Sequence, residues 1–482
     1  MVTPQLLPCR SATTWALLAG LLVGMAVSVN VFSQEIQLTV SSDSGDRLTA
    51  KPAVHFQDGV SAQKQKFEIR DEVHYQKMDG FGASFLEAGL ICINDLAPEQ
   101  QEEVFRALFD PRTGAGFSAM KTVIASTDFM SAGPFYSYDP TPGDVDMKDF
   151  SIARDLGPNG EITYIKRARR YGSFVLQATM DLPPDWMLLA YPDVDPQYYD
   201  ALSHYYLRYL QEYERNGVFI DYLSLFNEPI IYTRIPYTEL NVLLRDHVGP
   251  LLEREKVRTR IMPSEAPTRE NAARNYPILL DDPVTRKYIA VLPYHGYDFK
   301  NSDRIAALHE KYPQYPLWMT ELCHVSLPVY AFADGDFWGN QIFDDLEASA
   351  SAWIYWNMVL DEKGGPWAVS PGDGPEDNNQ HPVVVVDRQN KRVTYTGLYY
   401  YLAHFSKFVR PGAVRIQTAG KASGVRVISF ASPDGEIVTE IMNSNKAVAD
   451  IDLVFHAKTV HLSLPPISIT TASWKNSATA SK

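Results

Sequence analysis

Short apolar runs recur through the middle of the chain, separated by longer stretches in which apolar and polar residues alternate with helical spacing. The runs are Met78–Gly82, Met120–Ala125, Phe174–Ala178, Tyr222–Phe226, Thr259–Pro263, Ile289–Tyr294, Leu317–Thr320 and Ala352–Trp356. Continuous apolar runs of this length predict strands buried on both faces, as in a parallel sheet. Their starts lie 28 to 54 residues apart, and each interval has room for one helix and its loops. Pro98 opens PEQQEEVFRALF, with proline at a favoured first-turn position and acids at the positive helix end. Residues 197–215 keep apolar positions three and four apart, and Asn216-Gly217 stops them. Eight strands alternating with helices predict an α/β fold of the (β/α)8 barrel type. The longest interval carries a loop at 131–160 rich in Tyr, Pro, Gly and Asp. A loop that long at the end of a barrel strand is expected to belong to a site.

The period changes after the helix-like stretch Gly397–Phe408 and Arg410-Pro411-Gly412. Residues 413–474 alternate in strand fashion (AVRIQT, GVRVISF, EIVTEIM, ADIDLVF, TVHLSL), with a Ser-Pro-Asp-Gly turn at 432–435. They predict a small antiparallel β domain. Residues 36–75 are also strand-like and could join the same sheet, building that domain from both chain ends. At the start, Arg10 precedes the apolar stretch TTWALLAGLLVGMAVSVNVF at 13–32, and no acid occurs before Glu35. This reads as a signal peptide spanning 1–33, giving a secreted or periplasmic protein with no stable membrane span after cleavage. The alternative is an uncleaved anchor helix.

Composition narrows the partners. Lys plus Arg is 44 against 58 Asp plus Glu, a formal charge of -14. That sign disfavours nucleic acid and anionic lipid. Apart from Cys9, only Cys92 and Cys323 remain, with no CxxC and no zinc-ligand spacing, so no disulfide framework or metal is expected. No cofactor motif is present either. Aromatics reach 12%, enough for stacking surfaces in loops and strand ends.

Barrel chemistry sits at the C-terminal strand ends. Two strands end in glutamate: YLSLF runs into Asn227-Glu228-Pro229, and LWMT into Glu321. The 93 residues between them amount to about three βα units of ~30 residues. A carboxylate pair across a barrel mouth can hydrolyse a glycoside, one as nucleophile at the anomeric carbon and the other as general acid, then base.

With those residues in place the chain resembles glycoside hydrolase family 30, and within it the glucosylceramidases. The resemblance runs through MDGFGASFLEAG (78–89), KTVIASTDF (121–129), YSYDPTPGDVDMKDFS (136–151), FNEP (226–229), YHGYDF (294–299), WMTELC (318–323), WIYWNMVLDEKGGP (353–366) and GLYYYLAHFSKFVRPG (397–412). It implies a barrel with a β-sandwich made from both chain ends. It places the acid/base on Glu228 and the nucleophile on Glu321. Asn227 falls on the residue that bonds the sugar 2-hydroxyl, and Asp128 on the one that holds hydroxyls on the far side of the ring. Trp356 falls on a stacking wall, and His295 and Tyr297 on a pair lining the site. Lys121 stands where relatives usually have arginine, keeping the charge but not the bidentate fork. Each has a structural alternative: Trp356 a core aromatic, His295 a satisfied buried histidine, Asp128 a helix cap, Lys121 a partner of an interior acid. The chain departs from the relatives after the third strand, where ATMDLPPDWM puts Met180 or Asp181 in place of a substrate-stacking tryptophan, and at Phe85-Leu86-Glu87, where relatives have Thr-Asp.

The sequence thus divides into the leader 1–33, strands 34–76 joining the sandwich, a barrel over 77–410 and the sandwich at 411–482. The expected activity is retaining hydrolysis of β-glucosides, glucosylceramide among them, with a carbohydrate or glycolipid as partner. The same machinery acting on β-1,6-glucan or β-xyloside is a second expectation. A carbohydrate-binding barrel without catalysis is a third.

Overall fold

The computed structural model describes residues 34–59, 61, 64–130, 135–229, 231, 233–324, 331–366 and 380–476. The apolar stretch at 13–32, read as a signal peptide, lies outside the described residues. No helix among the described residues is long and apolar enough to cross a membrane.

Eight parallel strands form the central sheet: β1 (Gly80–Ser84), β2 (Ala119–Val123), β3 (Val175–Thr179), β4 (Tyr222–Ser224), β5 (Arg260–Met262), β6 (Leu292–His295), β7 (Leu317–Glu321) and β8 (Ala350–Asn357). Each overlaps one of the eight apolar runs. Neighbours in sequence are neighbours in the sheet, and β8 pairs with β1. The ring closes between β5 and β6, where Ala290 N–H donates to Ile261 O (2.9 Å) and His295 N–H to Ala266 O (2.8 Å). Closure leaves no edge strand exposed, so this is the expected (β/α)8 barrel. Its floor is filled by Tyr222, Met262, Val291, Trp318 and Ile354, with Tyr222 and Trp318 ring centroids 4.6 Å apart.

The helices follow their sequence signals. Pro98–Phe109 buries Val104, Phe105, Leu108 and Phe109, one stripe toward the barrel. The stretch expected over 197–215 begins with a 3-10 turn at Pro196–Tyr198, and the α-helix runs Tyr199–Arg215. Asp195, whose side chain accepts the Gln197 N–H, starts that turn. Gly217 adopts φ +78 just past the helix end, a conformation in which glycine is unstrained.

The second layer is a ten-stranded sheet folded over its own core. Glu35–Ser42 pairs with Thr49–His55 on one side and Ser468–Lys475 on the other. Lys66–Lys77 lies between Val414–Lys421 and Ala449–Phe455. Ile36, Phe67 and Phe56 from the front of the chain pack with Ile437, Ile451 and Trp474 from its end.

Candidate active site

The strand ends of the barrel converge on a cavity of about 330 Å³, lined by Asp128, Asp181, Asn227, Glu228, Tyr297, Glu321, Cys323, Trp356 and others. Glu321 ends β7, where the register shift between β6 and β7 sets it opposite His295. Glu228 leaves β4 in a left-handed conformation, φ +45, a strained setting for a non-glycine residue. Its N–H is held by Glu265 O (3.0 Å), and its carbonyl accepts from Ile231 N–H (2.8 Å). The turn is therefore imposed from both sides.

Behind the two carboxylates lies a buried ion network. Lys121 Nζ donates to Glu321 Oε2 (2.7 Å), Glu265 Oε2 (2.9 Å) and Asn227 Oδ1 (3.3 Å). His295 donates from Nδ1 to Glu228 Oε1 (2.8 Å) and from Nε2 to Glu265 Oε2 (3.1 Å). Tyr297 OH donates to Glu321 Oε1 (2.7 Å) and lies 3.2 Å from Cys323 Sγ. Burial opposes the charge on Lys121, but Glu265 and Glu321 outweigh it and hold the ammonium above its ordinary value. Burial likewise opposes a charged His295; Glu321, Glu228 and Glu265 raise it to about 9. Burial would raise Glu265, yet Lys121 and His295 bring it down to about 2. Burial raises Glu228, against the pull of His295. Glu265 thus sits between both cations and is held low, while Glu228 stays above its ordinary value.

Lys121 and His295, expected to touch substrate, are both fully buried and stand behind the cavity wall rather than in it. They contact the glutamates Glu321, Glu265 and Glu228 instead. Asp128, Asn227, Tyr297 and Trp356 line the cavity together with the two glutamates. Thr127 Oγ1 donates to Asp128 Oδ1 (2.9 Å), and burial raises Asp128 to about 7. The choice between Met180 and Asp181 is resolved: Met180 is in the core and Asp181 lines the cavity.

Glu265 is the residue that strand-end reasoning missed. It lies three positions past β5 and, like Glu228, two past the end of its apolar run, so the rule that found Glu228 reaches it without any change. Thr268 and Gln380 also line the cavity and carry no sequence signal. Glu228, His295 and Glu321 bring ligand-type atoms within 4.8 Å of one another. Both nitrogens of His295 already bond carboxylates, so the ring has no lone pair to direct at a shared ion. The arrangement offers paired carboxyl oxygens, one flanked by a lysine and a phenol and the other raised by burial. That is the equipment for nucleophilic attack coupled to proton transfer.

Residues 78–409 match the glycosyl hydrolase family 30 TIM-barrel domain, and residues 412–472 match the glycosyl hydrolase family 30 beta sandwich domain. The chain is 24% identical to the lysosomal acid glucosylceramidase of Mus musculus, over 84% of this chain and 83% of that one. It is 26% identical to the endo-1,6-beta-D-glucanase of Neurospora crassa, over 76% and 79%. Among solved structures it superposes on SrfJ from Salmonella typhimurium with a TM-score of 0.84 at 21% identity, covering 92% of this chain and all of that one.

Proposed function

Because the chain belongs to glycosyl hydrolase family 30 and is a glycoside hydrolase, we propose that it cleaves β-glucosidic bonds with retention of configuration. Glu321 is the nucleophile and Glu228 the acid/base. The observation that carries this reading is the proximity of the two carboxylates, with an oxygen of each within 4.8 Å. Retaining enzymes need ~5–5.5 Å between the carboxyl groups, whereas inverting ones leave ~6.5–9.5 Å for a water.

In the first step Glu321 attacks the anomeric carbon while Glu228 protonates the departing oxygen. Lys121 and Tyr297 each donate to one oxygen of Glu321 and keep it oriented. Burial holds Glu228 above its ordinary value, the direction a general acid needs. In the second step ionised Glu228 takes a proton from water, which attacks the glycosyl-enzyme bond and frees Glu321. With its Oδ1 engaged by Lys121, Asn227 keeps its amide NH2 as donor to the sugar 2-hydroxyl. Trp356 supplies the apolar face against which the ring stacks.

For the aglycone we favour a lipid such as ceramide. Ile231, 57% exposed, lines the cavity three residues past Glu228, the residue assigned here to protonate the leaving group. The mouse relative is named a glucosylceramidase. The β-1,6-glucan reading is supported by the name of the Neurospora relative. On the pattern of residues 1–33 alone, we place the activity outside the cytoplasm; N-terminal sequencing of the protein recovered from its native cells tests this.

Glu321→Gln is expected to abolish turnover of an aryl β-glucoside while the protein keeps its folded circular-dichroism spectrum. Glu228→Ala is expected to lose activity mainly on poor leaving groups and to regain it with azide. Proton NMR of the first-formed anomer reads the stereochemistry directly, and an inverted product sinks the mechanism. Turnover compared across glucosylceramide, a β-1,6-glucan and a β-xyloside decides the substrate.

A further inference from the structure

We propose that Asp181 is a specificity-determining residue that works with Asp128 to hold the glycone hydroxyls farthest from the anomeric carbon. The pair accepts a neutral hexose and refuses a pentose that lacks the exocyclic CH2OH. The proposal rests on the glycosidase reading above.

The placement comes from the barrel. Asp128 follows β2 and Asp181 follows β3, adjacent strands in register at Val123 and Thr179. In a ring of eight, β3 is diametrically opposite β7, the strand that carries Glu321. A pyranose with its anomeric carbon at Glu321 therefore presents its opposite end, O4 and the C6 hydroxymethyl, toward Asp181.

The backbone around Asp181 is fixed from two sides. Asn227 N–H donates to Met180 O (2.8 Å), and Thr233 Oγ1 donates to Asp181 O (2.6 Å). Its carboxyl is cavity-lining and the residue is only 3% exposed. Its Oδ1 has no hydrogen-bond partner among the described residues. The Thr127 hydroxyl serves the same carboxyl; buried polar atoms are rarely left unmet, so a cavity-lining carboxyl with one oxygen unpartnered marks where a ligand hydroxyl belongs.

The charge pattern selects the ligand class. Lys121 and His295 are spent on the glutamates. Burial raises both aspartates, and the charge of Asp128 adds to the effect on Asp181. A protonated carboxyl donates and accepts at once, so the pair can serve two hydroxyls, each also donor and acceptor. An acidic sugar would find no cation there.

The test compares an aryl β-glucoside with its 6-deoxy analogue and the aryl β-xyloside, using the full protein, Asp181→Ala and Asp181→Asn. The parent protein is expected to favour the glucoside over the xyloside by about 100-fold or more in kcat/KM. Asp181→Ala is expected to shrink that ratio to within about 10-fold by losing glucoside turnover, with xyloside turnover little changed. Asp181→Asn, which still donates and accepts, is expected to recover part of the preference. An equal loss on all three substrates in a folded Asp181→Ala protein overturns the proposal and makes the residue structural. A parent protein that prefers the xyloside overturns the hexose choice and leaves the glycosidase reading standing. Should no turnover occur, titration of the same proteins with glucose- and xylose-configured iminosugars reads the pair directly. A hexose preference lost in Asp181→Ala upholds the inference, and no preference overturns it.

Discussion

Lys121 meets three acceptors around one ammonium and has no access to water. Lys121→Met therefore leaves Glu265 and Glu321 buried with one cation fewer. Breaking a buried pair in this way costs about 3–5 kcal/mol, and calorimetric unfolding should show it together with near-complete loss of turnover. His295 gives a pH signature. It is raised from 6.5 to about 9 in the folded state, so its contribution is fully present below about 6.5 and is lost as pH rises through about 9. His295→Gln should flatten the stability profile in that window, as read by melts across pH. Asp128 has the same sense in a lower window. Burial raises it from 3.8 to about 7, so the native state holds a proton that the unfolded chain releases, and stability falls as pH rises between those values. Asp128→Asn should be the more stable protein above about pH 7, by on the order of 1–4 kcal/mol, while losing affinity for the glycone. An Asn variant no more stable than the parent at pH 8 would mean that Asp128 is not held protonated.

Among the elements, β6 ends on His295 and the loop after it carries Tyr297 and has its own anchor. Arg269 opens the helix Arg269–Leu280 and is buried. It donates to Asp345 (2.8 Å to each oxygen), to Gly296 O (3.0 Å) and to Asp298 Oδ1 (3.0 Å). The fork ties the loop to the helix Asp334–Glu347 that precedes β8. Arg269→Lys keeps one charge but cannot make the bidentate contact with Asp345. It should lower kcat by loosening Tyr297 against Glu321, and crystallography or the pH profile of kcat should show the displaced phenol. This anchor was not legible as a pattern, because a lone Arg at a helix start looks like any surface residue. The helices and strands themselves were legible, since their periods of 3.6 and 2 are set by local backbone geometry. The 3-10 turn before Tyr199 was hidden inside a continuous apolar period.

At the scale of the whole molecule, the chain ends are woven into one sheet. Glu35–Ser42 pairs with Ser468–Lys475, and the helix Gly397–Phe408 reaches this layer through His404, which contacts Thr471 Oγ1 (2.7 Å) and Ser41 Oγ (3.0 Å). Removing everything after Pro411 strips Glu35–Ser42 of its partner strand and uncovers His404 and the apolar helix beside it. Such a truncated chain should be aggregated or unfolded by size-exclusion and thermal melts. A monomeric truncated chain with the parent melting temperature would show that the barrel stands without the sandwich.

What the sequence determined by itself was everything that depends on near neighbours. The eight buried runs specified a closed parallel barrel, the change of period after Gly412 specified the β layer, and strand-end glutamates picked out Glu228 and Glu321. What only the tertiary structure decided was which distant groups share a proton and a field. Glu265 pairs with Lys121 across 144 residues, Lys121 and His295 retreat behind the wall they were expected to line, and Asp181 rather than Met180 faces the cavity. Those outcomes depend on burial and on distances of a few ångströms between residues from different strands, and no local period in a chain encodes them.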